Sequence, residues 1–439
     1  MTYRLRALML LSLLILPGIA SAQADEPERL RIHGSNLLGA NLVPALVNRW
    51  LHDIGYTDIK RRDVDPARTE ISASRDGEPL VVEIDKRGTA TGIHDIIDGS
   101  AEISMSARAP TAKEIDAAWQ LGNLTTSGQE WVVAIDGLAI VVPPGNPLPE
   151  LSLAQLRDVL GGKIRDWREL GGRPGPISVH ALAPNTGTGE LLSRLVLAGG
   201  KTAAPAKRHG SYAEIVAALE ADRGGIGVMS LRAPRGKLRA MAIRDGARAF
   251  PPDLLSVRSE DYPLVQRLYF HTGQLITALG RSFVQYAISS AGQAEVERSA
   301  FVSLNVQALP ASAPDDAPQE YQQIVGNARR LPITVHFSSG LDLLDSRARQ
   351  DMDRLAAFLH RPENAQRKLV LVGFGNPQPG NPYQSLWSSN SRADYVCSEL
   401  LALSLKVVTV RGMGGRMNLV DAGQPSAAYR NDRVEIWLR

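Results

Sequence analysis

A single cysteine, Cys397, stands in the 439 residues, so the chain cannot close a disulfide on itself even in an oxidising compartment. It falls in SRADYVCSELLAL, where apolar residues recur at helical spacing, and reads as a small buried hydrophobe, not a reactive thiol. Charge of one sign is also lacking: 49 Lys and Arg against 46 Asp and Glu leave 49 − 46 = 3, too small an excess for a nucleic-acid binder. His33, His52, His94, His180, His209, His271, His336 and His360 show no paired ligand spacing, and no metal is expected. There is no Gly-x-Ser-x-Gly elbow, and His180 and His209 have no evident catalytic partner in sequence. Neither an enzyme nor a cofactor is therefore expected, and His180 reads as a satisfied packing residue. Aromatic residues are scarce, and Trp119, Trp131 and Trp167 come at irregular spacing, as core or lobe-packing residues do. After the first 24 residues no apolar run reaches the ~18 that a spanning helix needs.

What is present begins with a leader. Arg4 and Arg6 precede ALMLLSLLILPGIA, and Ala20, Ala22 and Ala24 follow it, the layout of a secretory signal over residues 1–24. No cysteine follows that could carry a lipid anchor, so export to the periplasm is expected. One composition break divides the remainder. QALPASAPDDAPQEYQQ, from Gln307, is rich in Pro and Ala and poor in apolar residues, which is linker chemistry. The expected organisation is a domain over 25–306, a linker over 307–328 and a second domain over 329–439.

The first domain alternates short apolar runs with amphipathic helical patterns: RLRIHGSN into LVPALVNRWLHDIG, LAIVVPPGNP into LSLAQLRDVLGG, PISVHALAPNTGTG into ELLSRLVLAGG. Strand then helix, repeated, predicts an α/β fold with parallel sheets covered by helices on both faces. Ligands in such folds settle where the strand-to-helix loops gather. GSNLLGAN (34–41), GTATG (88–92) and NTGTG (185–189) each end a strand, carry Gly with Ser, Thr or Asn, and open a helix. The free N–H groups and partial positive charge of a helix start suit an oxyanion. The same residues are also ordinary helix caps, and the two readings stay open at this point. None ends in Gly-Lys-Ser/Thr, which excludes a nucleotide P-loop.

SAEISMSARAPTAKE (100–114), DGLAIVVPPGNPLPELSLAQLRDVLGGKIRDWRELGG (136–172) and GGIGVMSL (224–231) resemble the phosphate-binding proteins of the phosphate-specific ABC transporter. The resemblance covers about Arg29 to Ala300 and implies a type II periplasmic-binding-protein fold whose two lobes close on a small oxyanion. Carried over by motif, it implies ligand contacts from Ser35, Asn36, Thr89, Ser106, Thr186, Gly187 and Thr188, with Arg108 beside the third loop. The partners it implies are inorganic phosphate or a similar oxyanion, and an ABC permease. One departure stands out: the family carries an Arg and an acid shortly before its fourth loop, where this chain has Leu182, Ala183 and Pro184.

The C-terminal ITVHFSSGLDLLDSRARQDMDRLAAFL, KLVLVGFGNPQPGNPYQSLWSSNSRADYVCSELLALSL and YRNDRVEIWL resemble the OmpA C-terminal domain, which associates with peptidoglycan. A smaller α/β domain in β-α-β-α-β order is expected. The resemblance implies that Asn376, Arg392, Asn431 and Arg433 hold a diaminopimelate side arm, with Asn376 where the family has Asp. The whole then reads as an exported oxyanion binder tethered to the cell wall. The alternative is a structural or adhesive envelope protein whose binding fold has lost its ligand.

Overall fold

The computed structural model describes residues 27–202, 205–309, 313–337, 343–424 and 426–439; the leader expected over 1–24 lies outside them. The strand Glu130–Val142 organises the first domain. Its sequence EWVVAIDGLAIVV is buried at every position except the half-buried Asp136, as befits a strand covered on both faces. Residues 130–137 pair antiparallel with the strand Val265–Thr272, and residues 138–141 pair antiparallel with Gly225–Ser230. The strand therefore crosses from one lobe to the other.

Lobe one continues from Val265–Thr272 through Ile103–Ser106, Glu28–Gly34, Glu78–Asp85 and Arg68–Arg75 to Thr57–Asp63; lobe two continues through Gly225–Ser230 and Ser178–Leu182 to Lys207–His209. The sheet is mixed and not parallel as expected: the strands that run between the lobes and the hairpins of residues 57–85 pair antiparallel, and among these strands parallel pairing is confined to Glu28–Gly34 with its two neighbours and to Ser178–Leu182 with its two. One apolar core, with Leu30, Ile32, Trp50 and Phe270, fills lobe one, and another, with Ile140, Leu156, Leu192 and Ile226, fills lobe two. Trp131 and Trp167 are buried as expected, but Trp119 is 73% exposed. It sits in a single 3-10 turn, Trp119–Leu121, after a short helix with no buried residue, so nothing packs over it. His180 is buried within hydrogen-bond reach of His209 Nε2 (3.0 Å) and Asp222 Oδ2 (3.3 Å), a satisfied interior group.

The C-terminal part is a smaller α/β domain. Its sheet runs in the order Arg329–His336, Arg433–Leu438, Leu369–Phe374, Val407–Gly412. The expected β-α-β-α-β is thus extended by a closing strand that inserts between the first two. Helices Ser346–Leu359 and Pro382–Ala402 cover one face around Val335, Leu355, Leu371 and Val396; Cys397 is half-buried at this core's edge. The stretch expected as linker contains the helix Gln319–Val325, which covers the other face. Its Tyr321 is buried and donates to Glu435 Oε2 at 2.6 Å.

The second domain does not hang free. Helix Ser346–Leu359 lies against the crossing strand, where Gln350 accepts from the Val132 amide (3.2 Å) and donates to the Glu130 carbonyl (3.2 Å). Arg267 pairs with Glu260 (2.7 Å) and with Asp345 (2.7 Å), and Arg347 reaches the same Glu260 carboxylate. Arg430 pairs with Asp245 (2.7 Å) and Arg330 with Asp261 (2.6 Å). Glu130, Val132 and Arg267 belong to lobe one and Asp245 to lobe two, so the C-terminal domain touches both.

Burial alone would raise the Glu260 pKa, but Arg267 and Arg347 outweigh it and hold the carboxyl far below the usual carboxylate range. Removing one partner of such a buried cluster leaves uncompensated charge, which costs about 3 kcal/mol or more. Glu260→Gln is accordingly expected to destabilise the protein by about 3 kcal/mol. Denaturant unfolding of both proteins would measure it, and a loss below about 0.5 kcal/mol, the scale of an exposed pair, would refute the assignment.

Candidate functional site

The strand Glu28–Gly34 ends in a glycine because the next chain comes too close for any side chain: a Cβ at Gly34 would lie 2.1 Å from the Met105 carbonyl oxygen. The same crowding fixes Gly92, where a Cβ would lie 2.3 Å from the His33 carbonyl oxygen. These contacts press three loops of lobe one together. The Ser35 amide donates to Met105 O (2.7 Å), the Gly88 amide to Gly34 O (2.7 Å), and the Ala107 amide to Thr89 Oγ1 (3.1 Å). Below them His33 lies 2.8 Å from Asp95 and 3.3 Å from Glu83.

Lobe two contributes the loop before helix Gly187–Leu195. Thr186 caps that helix, accepting from the Gly189 amide at 3.2 Å and donating to the Ala183 carbonyl at 2.7 Å. Thr188 hydrogen-bonds the hydroxyl of Tyr212. The two sets of loops face one another across a cleft of about 690 Å³.

Ser35, Asn36, Thr89, Gly187 and Thr188 all line this cleft, so segments distant in sequence do converge. Ser106 and Thr186 do not line it. The Ser106 hydroxyl is buried and donates to the Arg108 carbonyl at 2.6 Å, and that of Thr186 is engaged in the cap. Both hydroxyls are spent on shaping their loops. Arg108 reaches the cleft wall, but Glu114 holds it in a two-pronged pair at 2.7 and 2.8 Å. Arg87, also on the wall, is held by Asp85 (2.8 Å) and Asp95 (3.2 Å). Leu182 brings no charge, as the sequence indicates, and no acid replaces Ala183.

Among the further cleft residues that sequence reasoning misses are Arg194 and Asp136. Arg194 lies seven residues after Gly187, two turns along one helix face, and its Nη1 donates to the Ala107 carbonyl at 3.0 Å. The signal for Asp136 is an isolated acid inside an apolar strand. Burial pushes its carboxyl up to about 6, against hydrogen bonds from the Gly137 amide and Gln266 that pull it down; Gln266 Nε2 lies 3.3 Å away.

In the C-terminal domain the Asn376 amide donates to Asp432 Oδ1 (2.6 Å), Arg392 pairs with the same oxygen (2.8 Å), and Asn431 Nδ2 donates to Asn376 Oδ1 (2.9 Å). Three of the expected residues therefore meet, around an acid, Asp432, that is not among the expected site residues. Two need correction as direct contacts. Asn431 is fully buried and accepts from the Leu419 and Val420 amides, while Arg433, 1% exposed, pairs with Glu435 and lies over the Phe374 ring at 4.0 Å. Both hold the domain from inside.

Among the described residues one group of potential metal ligands gathers, His94, Asp95 and Asp98, and Asp95 is already engaged by His33 and Arg87. No helix of the described residues is long and apolar enough to cross a membrane.

Two α/β lobes joined by crossing strands, with helix starts aimed into the cleft between them, define a two-lobed solute-binding fold. Residues 67–291 match the PBP superfamily domain, about half of the chain, and the chain belongs to that superfamily. It is 26% identical over 208 residues to the phosphate-binding protein PstS of Bacillus subtilis, covering 47% of this chain and 65% of that one. It is 36% identical over 89 residues to the phosphate-binding protein PstS 2 of Streptococcus agalactiae, covering 20% and 27%. An ABC-type phosphate transport receptor from Vibrio cholerae superposes on 63% of this chain and 99% of its own with a TM-score of 0.50 at 18% identity, which establishes the shared fold.

Asp136 yields a test that needs no ligand. Its folded pKa lies above the ordinary 3.8, so its contribution to stability is full below about pH 4 and is lost as pH rises through about 6. Asp136→Asn is therefore expected to match the wild type near pH 4 and to melt higher than it at about pH 7.5. Thermal melts across that range check this, and an unchanging difference would contradict a raised pKa.

Proposed function

We propose that the cleft binds a small inorganic oxyanion, phosphate foremost, without transforming it, and that the C-terminal domain holds the binder at the cell wall of an exporting cell. The observation that carries the first half is convergence: helix starts at Thr89 and Gly187, from opposite lobes, face one cleft. Exposed amides and the helix field favour an anion there. Relatives whose names state phosphate binding support phosphate among the oxyanions. An ABC permease is the partner such a binder would serve. A rival reading, an envelope protein whose cleft has lost its ligand, draws on Leu182 and on hydroxyls already engaged at Ser106, Thr186 and Thr188.

Calorimetric titration of the mature protein with phosphate decides between them. A saturable heat with dissociation below about 100 μM is expected. No heat and no thermal shift at about 5 mM phosphate, where even millimolar affinity would register, would leave the rival standing.

For the second half, Asp432 supports the wall-binding reading, because it places a carboxylate beside Asn376 and Arg392 where the neutral amide alone offers an ammonium no Coulomb attraction. The Arg392–Asp432 pair presents one cation and one anion, which matches a side arm bearing amine and carboxylate. The protein should sediment with purified peptidoglycan sacculi, and Arg392→Ala and Asp432→Ala should each lower the bound fraction. Equal sedimentation of all three proteins would remove this pair from the wall contact.

A further inference from the structure

Three arginines reach the cleft wall, and two of them are already answered by carboxylates. Arg87 is held by Asp85 and Asp95, and Arg108 by both oxygens of Glu114. Such pairs leave little net field at the mouth of the cleft. Arg194 differs. Asp136 and Glu190 of the same cleft act on it from beyond ion-pair distance, and its hydrogen bond goes to a neutral group, the Ala107 carbonyl at 3.0 Å.

The place of that partner matters. Helix Gly187–Leu195 belongs to lobe two, whereas Ala107 follows the lobe-one strand Ile103–Ser106. The side chain therefore crosses from one lobe to the other. It arrives beside the second and third loops, because the Ala107 amide is itself bonded to Thr89 Oγ1. One of the guanidinium N–H groups serves the carbonyl; the fork has others to offer an anion. An anion seated between the helix starts at Thr89 and Gly187 would meet this fork.

We infer that Arg194 is the charge clamp of the cleft, reaching from lobe two onto an oxyanion held against lobe one and replacing a cation that neither Leu182 nor Ala183 can provide. This rests on the oxyanion reading. The contact with Ala107 is then the resting position of the clamp, and it also links the lobes in the state described. The cation thus comes from a helix after the loop, and not from the strand before it, and already spans the cleft.

The test titrates inorganic phosphate, and sulfate in parallel, into the full mature chain as wild type, Arg194→Ala, Arg194→Gln and Arg194→Lys. Arg194→Ala should weaken phosphate binding by about 30-fold, the scale of lost charge-assisted hydrogen bonds. Arg194→Gln can still donate to the Ala107 carbonyl but has no charge, and should lose about as much as Ala. Arg194→Lys keeps the charge without the planar fork and should recover part of the loss. Melting curves confirm that each variant folds; if Ala does not, Gln against Lys carries the same comparison. Wild type that binds phosphate with Ala and Gln within about threefold of it, well under 1 kcal/mol, would make Arg194 a mere lobe contact and overturn the inference while the oxyanion reading survives. Wild type that binds neither anion would overturn both.

Discussion

Glu260, set between Arg267 and Arg347, is the contact on which the architecture turns. Arg267 belongs to a strand of lobe one, Arg347 to the first long helix of the C-terminal domain, and Glu260 to the segment returning from lobe two. Asp345 and Tyr429 complete the shell around Arg267. Charges this well buried are tolerated only while every partner is present. The three bodies must therefore keep one mutual arrangement for the cluster to persist, which a flexible tether would not require. Glu260 itself takes a left-handed backbone, φ 62°, a conformation costing a non-glycine residue about 1 kcal/mol; the two guanidinium groups offset that cost.

The same strand connects this cluster to the ligand cleft. Successive side chains on a strand point to opposite faces, so Gln266 turns to Asp136 in the cleft while Arg267 turns to the C-terminal domain. On the neighbouring strand Val132 and Glu130 are bonded to Gln350 of the second domain. The floor of the cleft is thus backed by a packed domain. A binding protein that opens by bending its crossing strands must bend them against that backing, and closure about a ligand falls to the helices and loops above the floor.

How much of this could be read in advance depended on the range of each cause. The strand-to-helix alternation and the glycine-rich loops were legible because a turn, a cap and a close approach such as Gly34 against Met105 leave their mark within a few residues. The convergence of Ser35, Thr89 and Thr188 on one cleft was legible through that alternation. Arg194 was not, because its place depends on two helical turns and on which lobe lies opposite. Nor was the domain interface: SRARQDMDRL has the charge pattern of a solvated helix face, yet Arg347 and Asp351 are almost fully buried. A sequence shows how many charges a helix carries but not which of them another domain will cover. The Pro/Ala stretch misled in the same direction. Its composition is that of a linker, and Tyr321 becomes a core residue only because Glu435 and Trp437 lie beneath it.

Two ways of attaching a module to a binding domain place different demands on a chain. A tether needs length and solubility alone, and acts by raising local concentration. A docked module needs matched charges on both partners, as Arg430 with Asp245 and Arg330 with Asp261 provide on lobe two, and Arg267 with Asp345 on lobe one. Because these pairs reach both lobes, the module is part of the surface on which the lobes rest. Its own candidate site, at Asn376, Arg392 and Asp432, is built on the same sheet whose other strands carry Arg330 and Glu435. The cleft and the Asn376–Arg392–Asp432 cluster are in this protein parts of one continuous packed body.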